Sequence, residues 1–202
     1  MRRVFAGALV AAVVLSGCAR QPIGDSAAAE PTPLPLAIEA ESAAAFTAKV
    51  GRGIAFDYEP TASPSAARES GDLIVEGAVT DVRAPSDAER STARESGYDD
   101  TVVMTVNVAD TLDGEASAAV TIVLPTGPGV DVAELLPLAT GLRVIAALNA
   151  RGDRWSAQID GLWFQGSRDT VMHGPYAEPW ELPEPWGGAD TLDEYAAAIR
   201  RA

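Results

Sequence analysis

The stretch Thr101 to Leu112, TVVMTVNVADTL, sets Val102, Met104, Val106 and Val108 against Val103, Thr105 and Asn107. Successive side chains of a strand point to opposite faces, so a period of two calls for a sheet packed on a core. Asp113-Gly114 follows as a favoured turn dipeptide, and Ala118 to Leu124 returns as a second apolar strand. The pattern predicts a hairpin.

Other segments repeat this short-strand signature. Asp72 to Arg83, DLIVEGAVTDVR, is a strand interrupted by Gly77, the mark of a bulge or tight bend. Leu142 to Leu148 and Trp155 to Phe164 are two more strands, joined by a turn at Asn149 to Arg154. Gly53 to Tyr58 alternates and predicts a further strand, with Pro60 and Pro64 bracketing the turn that follows. Between the strands, Ala84 to Asp100 reads as a long polar loop and Pro125 to Gly129 as a short one.

Helices are few. Leu36 to Ala48 is alanine-rich and predicts a short helix, Pro64 to Ser70 a helical turn, and Val132 to Leu136 one turn more. Thr191 to Arg201 closes the chain with a helix: Thr191 and Glu194 fit a capping box, and Leu192, Tyr195, Ala196 and Ile199 share one face. Short strands with little helix between them predict a mainly β domain. The expected form is a small antiparallel barrel of about five strands, OB-like in size, with a C-terminal helix.

The segment ahead of this domain has a different chemistry. Arg2 and Arg3 precede an apolar run from Val4 to Leu15, and Ser16 and Gly17 stand before Cys18, the chain's one cysteine. Such an order is that of a secretory signal, and the run is shorter than the roughly 20 residues a membrane-spanning helix needs. Leu15-Ser16-Gly17-Cys18 resembles the lipobox of bacterial lipoproteins, which signal peptidase II cuts before the cysteine. The resemblance implies a covalent diacylglycerol on the Cys18 thiol, and hence a lipid anchor on the extracytoplasmic face of the cell membrane. Arg2-Arg3-Val4-Phe5 also resembles a twin-arginine signal, without the usual polar residue before the arginines, which leaves the export route open.

The expected organisation is a signal peptide at 1–17, a lipidated terminus and Pro- and Ala-rich linker at 18–35, and one β-rich domain at 36–202. A net charge of −14 disfavours nucleic acid and anionic lipid headgroups as partners. The lipid is thus expected to hold the membrane without a basic patch.

The middle of the chain carries a second resemblance. SGDLIVEGAVTDVR, TVVMTVNVADTLDGE, AVTIVLP and LPLATGLRVIAAL, spanning roughly Asp72 to Leu148, look like the OB-like barrel of netrin-type and metalloproteinase-inhibitor domains. Those inhibitors dock through a cysteine-led terminus pinned by disulfides. This chain has no second cysteine, so inhibition transfers to no residue here.

Motifs for catalysis or metal binding are sparse. His173 is the one histidine, so a zinc site of the usual kind is not expected, and no Gly-Xaa-Ser-Xaa-Gly elbow accompanies it. Asp110 to Glu115 has the acidic look of a calcium loop, but turn chemistry already explains its Asp-Gly and the alternating ligands of an EF-hand are missing. Arg151-Gly152-Asp153 spells an adhesion tripeptide, and it also reads as a hairpin tip. No cofactor is expected beyond the lipid on Cys18.

Aromatic residues gather near the C-terminus, where GPYAEPWELPEPWGG strings Tyr176, Trp180 and Trp186 among prolines. They either present aromatic faces to a ligand or wrap the core; large aromatics are most often largely buried. The functional expectation is a noncatalytic binding or accessory lipoprotein of the cell envelope, taking a protein, peptide or envelope glycan, with Tyr176, Trp180 and Trp186 as its candidate surface. The alternatives are an envelope enzyme using carboxylates that the sequence does not single out, and a purely structural or assembly lipoprotein.

Overall fold

The computed structural model describes residues 36–95, 97–152, 154–166, 170–177 and 188–202. Cys18, its lipobox and the linker lie outside them, as do Trp180 and Trp186.

The chain runs through α1 (Leu36–Val50), α2 (Pro64–Ser70), β1 (Leu73–Arg83), α3 (Asp87–Glu95), β2 (Thr101–Asp113), β3 (Ala119–Pro125), α4 (Val132–Ala139), β4 (Arg143–Arg151), β5 (Arg154–Gln165), β6 (Val171–His173) and α5 (Leu192–Arg201). The strands form one mainly antiparallel six-stranded sheet in the order β3-β2-β1-β4-β5-β6. A short parallel pairing, Ile122↔Trp155 and Val123↔Ser156, also joins β3 to β5.

Both faces of the central strands are covered, and the period of two sorts their side chains. Val144, Ala146 and Leu148 of β4 join Phe46 of α1, Leu135 of α4 and Phe164 of β5 in the larger core. Ile145 and Ala147 turn the other way, joining Trp163, Leu192, Tyr195 and Ile199 beneath α5. Two covered faces explain why Val144 to Leu148 reads as an unbroken apolar run. Each fully buried large apolar side chain contributes about 1.5–3 kcal/mol.

The capping box of α5 is present as expected: Thr191 Oγ1 accepts from Glu194 N at 3.1 Å, and the Glu194 carboxylate accepts from Thr191 N at 3.1 Å. Hydrogen bonds to that carboxylate from Asp190 N and Thr191 N hold the Glu194 carboxyl below its ordinary pKa. The Gly77 interruption is likewise a register shift in the β1–β2 ladder. A Cβ at Gly77 would stand 2.1 Å from Asn107 O, so glycine is what lets the two strands close there.

Several expectations are corrected. The polar stretch from Ala84 to Asp100 contains a helix, α3, whose Glu89 and Ala93 are buried. Gly53 to Tyr58 joins no ladder: Ile54, Phe56 and Tyr58 are half-buried and Ala55, Asp57 and Glu59 exposed, but no strand pairs with the segment. Alternation reports an extended backbone over a core, which does not require a partner. Val132 to Ala139 makes two helical turns instead of one. The β2–β3 hairpin forms as expected, with Asn107↔Ala119 as its last pair, and the chain leaves β2 at Asp113-Gly114, where Gly114 has φ 82°. The far end of β2 leaves β3 and pairs with β1 instead, Asp113 opposite Ile74. The tip at Arg151-Gly152 is as expected, with Arg151 paired to Arg154 and Gly152 at φ 66°. Finally, a sixth strand, β6, not expected from the sequence, ends at His173 and pairs with β5.

Candidate functional site

Where β3 and β5 part beyond their two-residue pairing, the sheet leaves a groove of about 470 Å³. One wall is β5 from Arg154 to Asp160 with Asn149 and Arg151 of β4; the other is Val123 and Pro125 of β3 with Glu89, Thr92 and Ala93 of α3. Tyr58, Glu59 and Thr61, from the extended segment before α2, and Tyr98, after α3, complete it. The volume is in the range of ordinary small-ligand pockets.

Local sequence explains how α3 is set. Ser86 Oγ accepts from Glu89 N at 3.3 Å, while the Glu89 carboxylate accepts from Ser86 N, so the two cap the helix reciprocally. The same carboxylate is 1% exposed and receives the Arg83 guanidinium in a two-point fork, at 2.7 and 2.9 Å, together with Arg154 Nη1. A carboxylate offers about four acceptor positions, and four donors fill them here. Glu89 therefore has no vacant position for a substrate proton.

Asp160, 3% exposed, holds the opposite end of the groove. Its Oδ2 accepts from Thr61 N at 2.9 Å and its Oδ1 from Thr61 Oγ1 at 2.6 Å, which pins the segment carrying Tyr58 and Glu59 against β5. Glu59 is exposed and Trp155 half-buried. Asp160 also faces His173, whose pKa burial pushes below the ordinary histidine value while the carboxylate pulls it partly back. The buried Nδ1 of His173 has no hydrogen-bond partner among the described residues.

Tyr176 is not part of an exposed aromatic surface. It is 5% exposed, stands edge-on to Phe56 at 5.2 Å, and donates its hydroxyl to Pro125 O at 2.6 Å. Burial pushes its phenol well above the usual tyrosine pKa. The expected surface residues Trp180 and Trp186 and the lipidation site Cys18 lie outside the described residues.

No family model, curated protein or solved structure matches the chain. The groove is therefore read from its own residues. Sequence reasoning missed Glu89, Arg154, Asp160 and Thr61 as a set, because they come from three separate segments: α3, β5 and the stretch before α2. Ser86-Asp87-Ala88-Glu89 was the one local signal, since a serine followed three residues later by glutamate marks a helix start. Among the described residues no group of three His, Cys, Asp or Glu side chains could hold a metal ion. Two carboxylates of the acidic Asp110 to Glu115 stretch are turned to other work, Asp110 pairing with Arg200 at 2.5 Å and Asp113 with Arg68 at 2.8 Å.

Proposed function

We propose that the chain is a lipid-anchored lipoprotein of the extracytoplasmic face of a bacterial cell membrane, and that its β domain is a noncatalytic binding or accessory module. The groove at the β3–β5 junction is its ligand site. The observation that carries this reading is the state of the two buried groove carboxylates: Glu89 is saturated by Arg83, Arg154 and Ser86, and Asp160 is tied to Thr61. General acid–base work needs a carboxylate within reach of a substrate proton, and these two are committed to holding the groove walls.

The finer architecture proposed is a small OB-like barrel of five strands, with β6 added outside. Pairings β1–β2, β2–β3, β3–β5, β5–β4 and β4–β1 make a complete circuit, which supports that reading. OB-like barrels bind ligands between the β1–β2 connection and the β4–β5 hairpin. Here α3 lies in the first and Arg151 to Arg154 form the second, and the groove lies between them.

The anchor rests on the order Arg2-Arg3, apolar run, Leu15-Ser16-Gly17-Cys18. One acyl chain holds a protein only marginally and two hold it stably, so a diacylglycerol on Cys18 suffices. Cys18→Ala is expected to release the protein from membranes under detergent-free washing, and continued retention would refute the anchor. For the groove, a photocrosslinker replacing Ser156 in intact cells is expected to give a discrete adduct, and one replacing exposed Arg201 none. Equal labelling at the two positions would count against a groove ligand.

A further inference from the structure

We infer that the groove takes a short peptide of about three to six residues with a free C-terminal carboxylate, which lies at the β4–β5 hairpin end while a cationic group of the peptide lies at the Glu59 end. This inference rests on the groove being a binding site and adds what is bound and in which direction.

The lining is polarised. Its two cations, Arg151 and Arg154, face each other across the tip of the β4–β5 hairpin. Arg83 and Arg154 both pair with Glu89, so three guanidinium groups lie with one buried carboxylate at this end, in a chain whose net charge is −14. The other end carries Glu59, and Asp160 held by Thr61, with no cation beside them among the described residues of the lining. Glu59 and Arg151 take part in no ion pair among the described residues. The lining also includes Trp155, Val123, Pro125 and Tyr98, which give it an aromatic and apolar part.

Opposed free charges at the ends of a partly apolar groove match a zwitterionic chain. A guanidinium pairs with a carboxylate by a planar fork, and Arg151 is open to do so. A neutral glycan has no use for either charge, and an anionic polymer meets Glu59 as well as the overall negative field. Arg154 and Asp160 are six residues apart on β5, at most about 20 Å at ordinary strand rise, which sets the upper length of the peptide.

The test uses the wild-type, lipid-bearing chain in detergent micelles with fluorotryptophan incorporated, following the Trp155 resonance, which a Trp155→Phe variant assigns. Three probes are titrated: a pool of mixed-sequence pentapeptides with N-terminal lysine and a free carboxylate, the same pool amidated at the C-terminus, and a neutral pentamer of N-acetylglucosamine. The free-carboxylate pool is expected to shift Trp155, with amidation weakening binding about tenfold, the scale of one lost hydrogen-bonded charge contact. Arg151→Gln is expected to weaken the free pool equally and to abolish the difference between the two pools, and Glu59→Gln to weaken both lysine-bearing pools while keeping the difference between them. Equal binding of both pools, or indifference to Arg151→Gln, overturns the inference. A shift with the oligosaccharide alone overturns the peptide while leaving the groove a binding site, whereas silence with all three probes overturns both.

Discussion

Arg154 at the start of β5 and Glu89 on α3 form an ion pair across the groove wall, and the carboxylate is 1% exposed. The pair fastens the β1–β2 connection to the β4–β5 hairpin, two segments that share no ladder at this point. Removing one partner of a buried pair strands the other, so Glu89→Ala is expected to cost about 2–4 kcal/mol, reduced from the fully buried case because both arginines reach solvent. Urea denaturation measures the loss, and hydrogen exchange should show the α3 amides opening first. A loss below about 0.5 kcal/mol, the scale of an ordinary surface change, would mean that the pair fastens nothing.

His173 predicts a pH dependence on the acid side. Burial lowers its folded pKa below the unfolded value near 6.5, so the unfolded chain binds more protons in this window. The stabilisation from keeping it neutral is complete above the unfolded value and is lost as pH falls through the folded one. His173→Gln is therefore expected to flatten the decline in melting temperature between neutral pH and the folded pKa. A slope unchanged by the substitution would assign that decline to other groups.

Glu39 predicts the opposite slope. It is 2% exposed and accepts from Arg143 N at 2.7 Å, and burial raises its carboxyl above the ordinary value more than that hydrogen bond and the arginine charge lower it. Its contribution is complete below the unfolded pKa and is lost as pH rises through the folded one. Glu39→Gln keeps an acceptor for Arg143 N, so its stability relative to wild type should rise with pH across that window. Parallel stability curves for the two proteins would contradict this.

Gly77 tests the closeness of β1 and β2. With Asn107 O 2.1 Å from where a Cβ would stand, Gly77→Ala must push the strands apart. The expected loss is about 1–3 kcal/mol, on the scale of overpacking, measured by chemical denaturation. A neutral result would show that the bulge relaxes freely.

Tyr176→Phe separates a packing role from a surface role. The change keeps the ring against Phe56 but removes the hydroxyl from Pro125 O, leaving a carbonyl without its partner, at about 1–2 kcal/mol. Stability should fall while binding at the groove, followed by Trp155, keeps its affinity within about twofold. The reverse pattern would restore Tyr176 to a ligand surface.

The legible parts of the fold were those encoded by neighbours in sequence. The β2–β3 alternation, the Gly77 interruption, the Arg151-Gly152 tip and the Thr191/Glu194 cap each depend on residues a few positions apart, and each appears where local chemistry puts it. Helix α3 was hidden by its polarity: only Glu89 and Ala93 face inward, and Glu89 is buried because Arg83 and Arg154 neutralise it. A carboxylate in a polar stretch carries no sign of burial until its cations are known. Tyr176 stood open between a ligand surface and the core for the matching reason, since its neighbours Phe56 and Pro125 lie far away along the chain.

By itself the sequence determined that this is a mainly β chain with a C-terminal helix, because strand alternation and helix capping are short-range properties that any fold must respect. Tertiary structure alone decided where the groove lies and which charges line it. Tyr58–Thr61, α3, the end of β3 and the start of β5 meet only because β3 and β5 pair for two residues and then diverge, and no local pattern encodes a pairing between strands separated by a helix and a third strand.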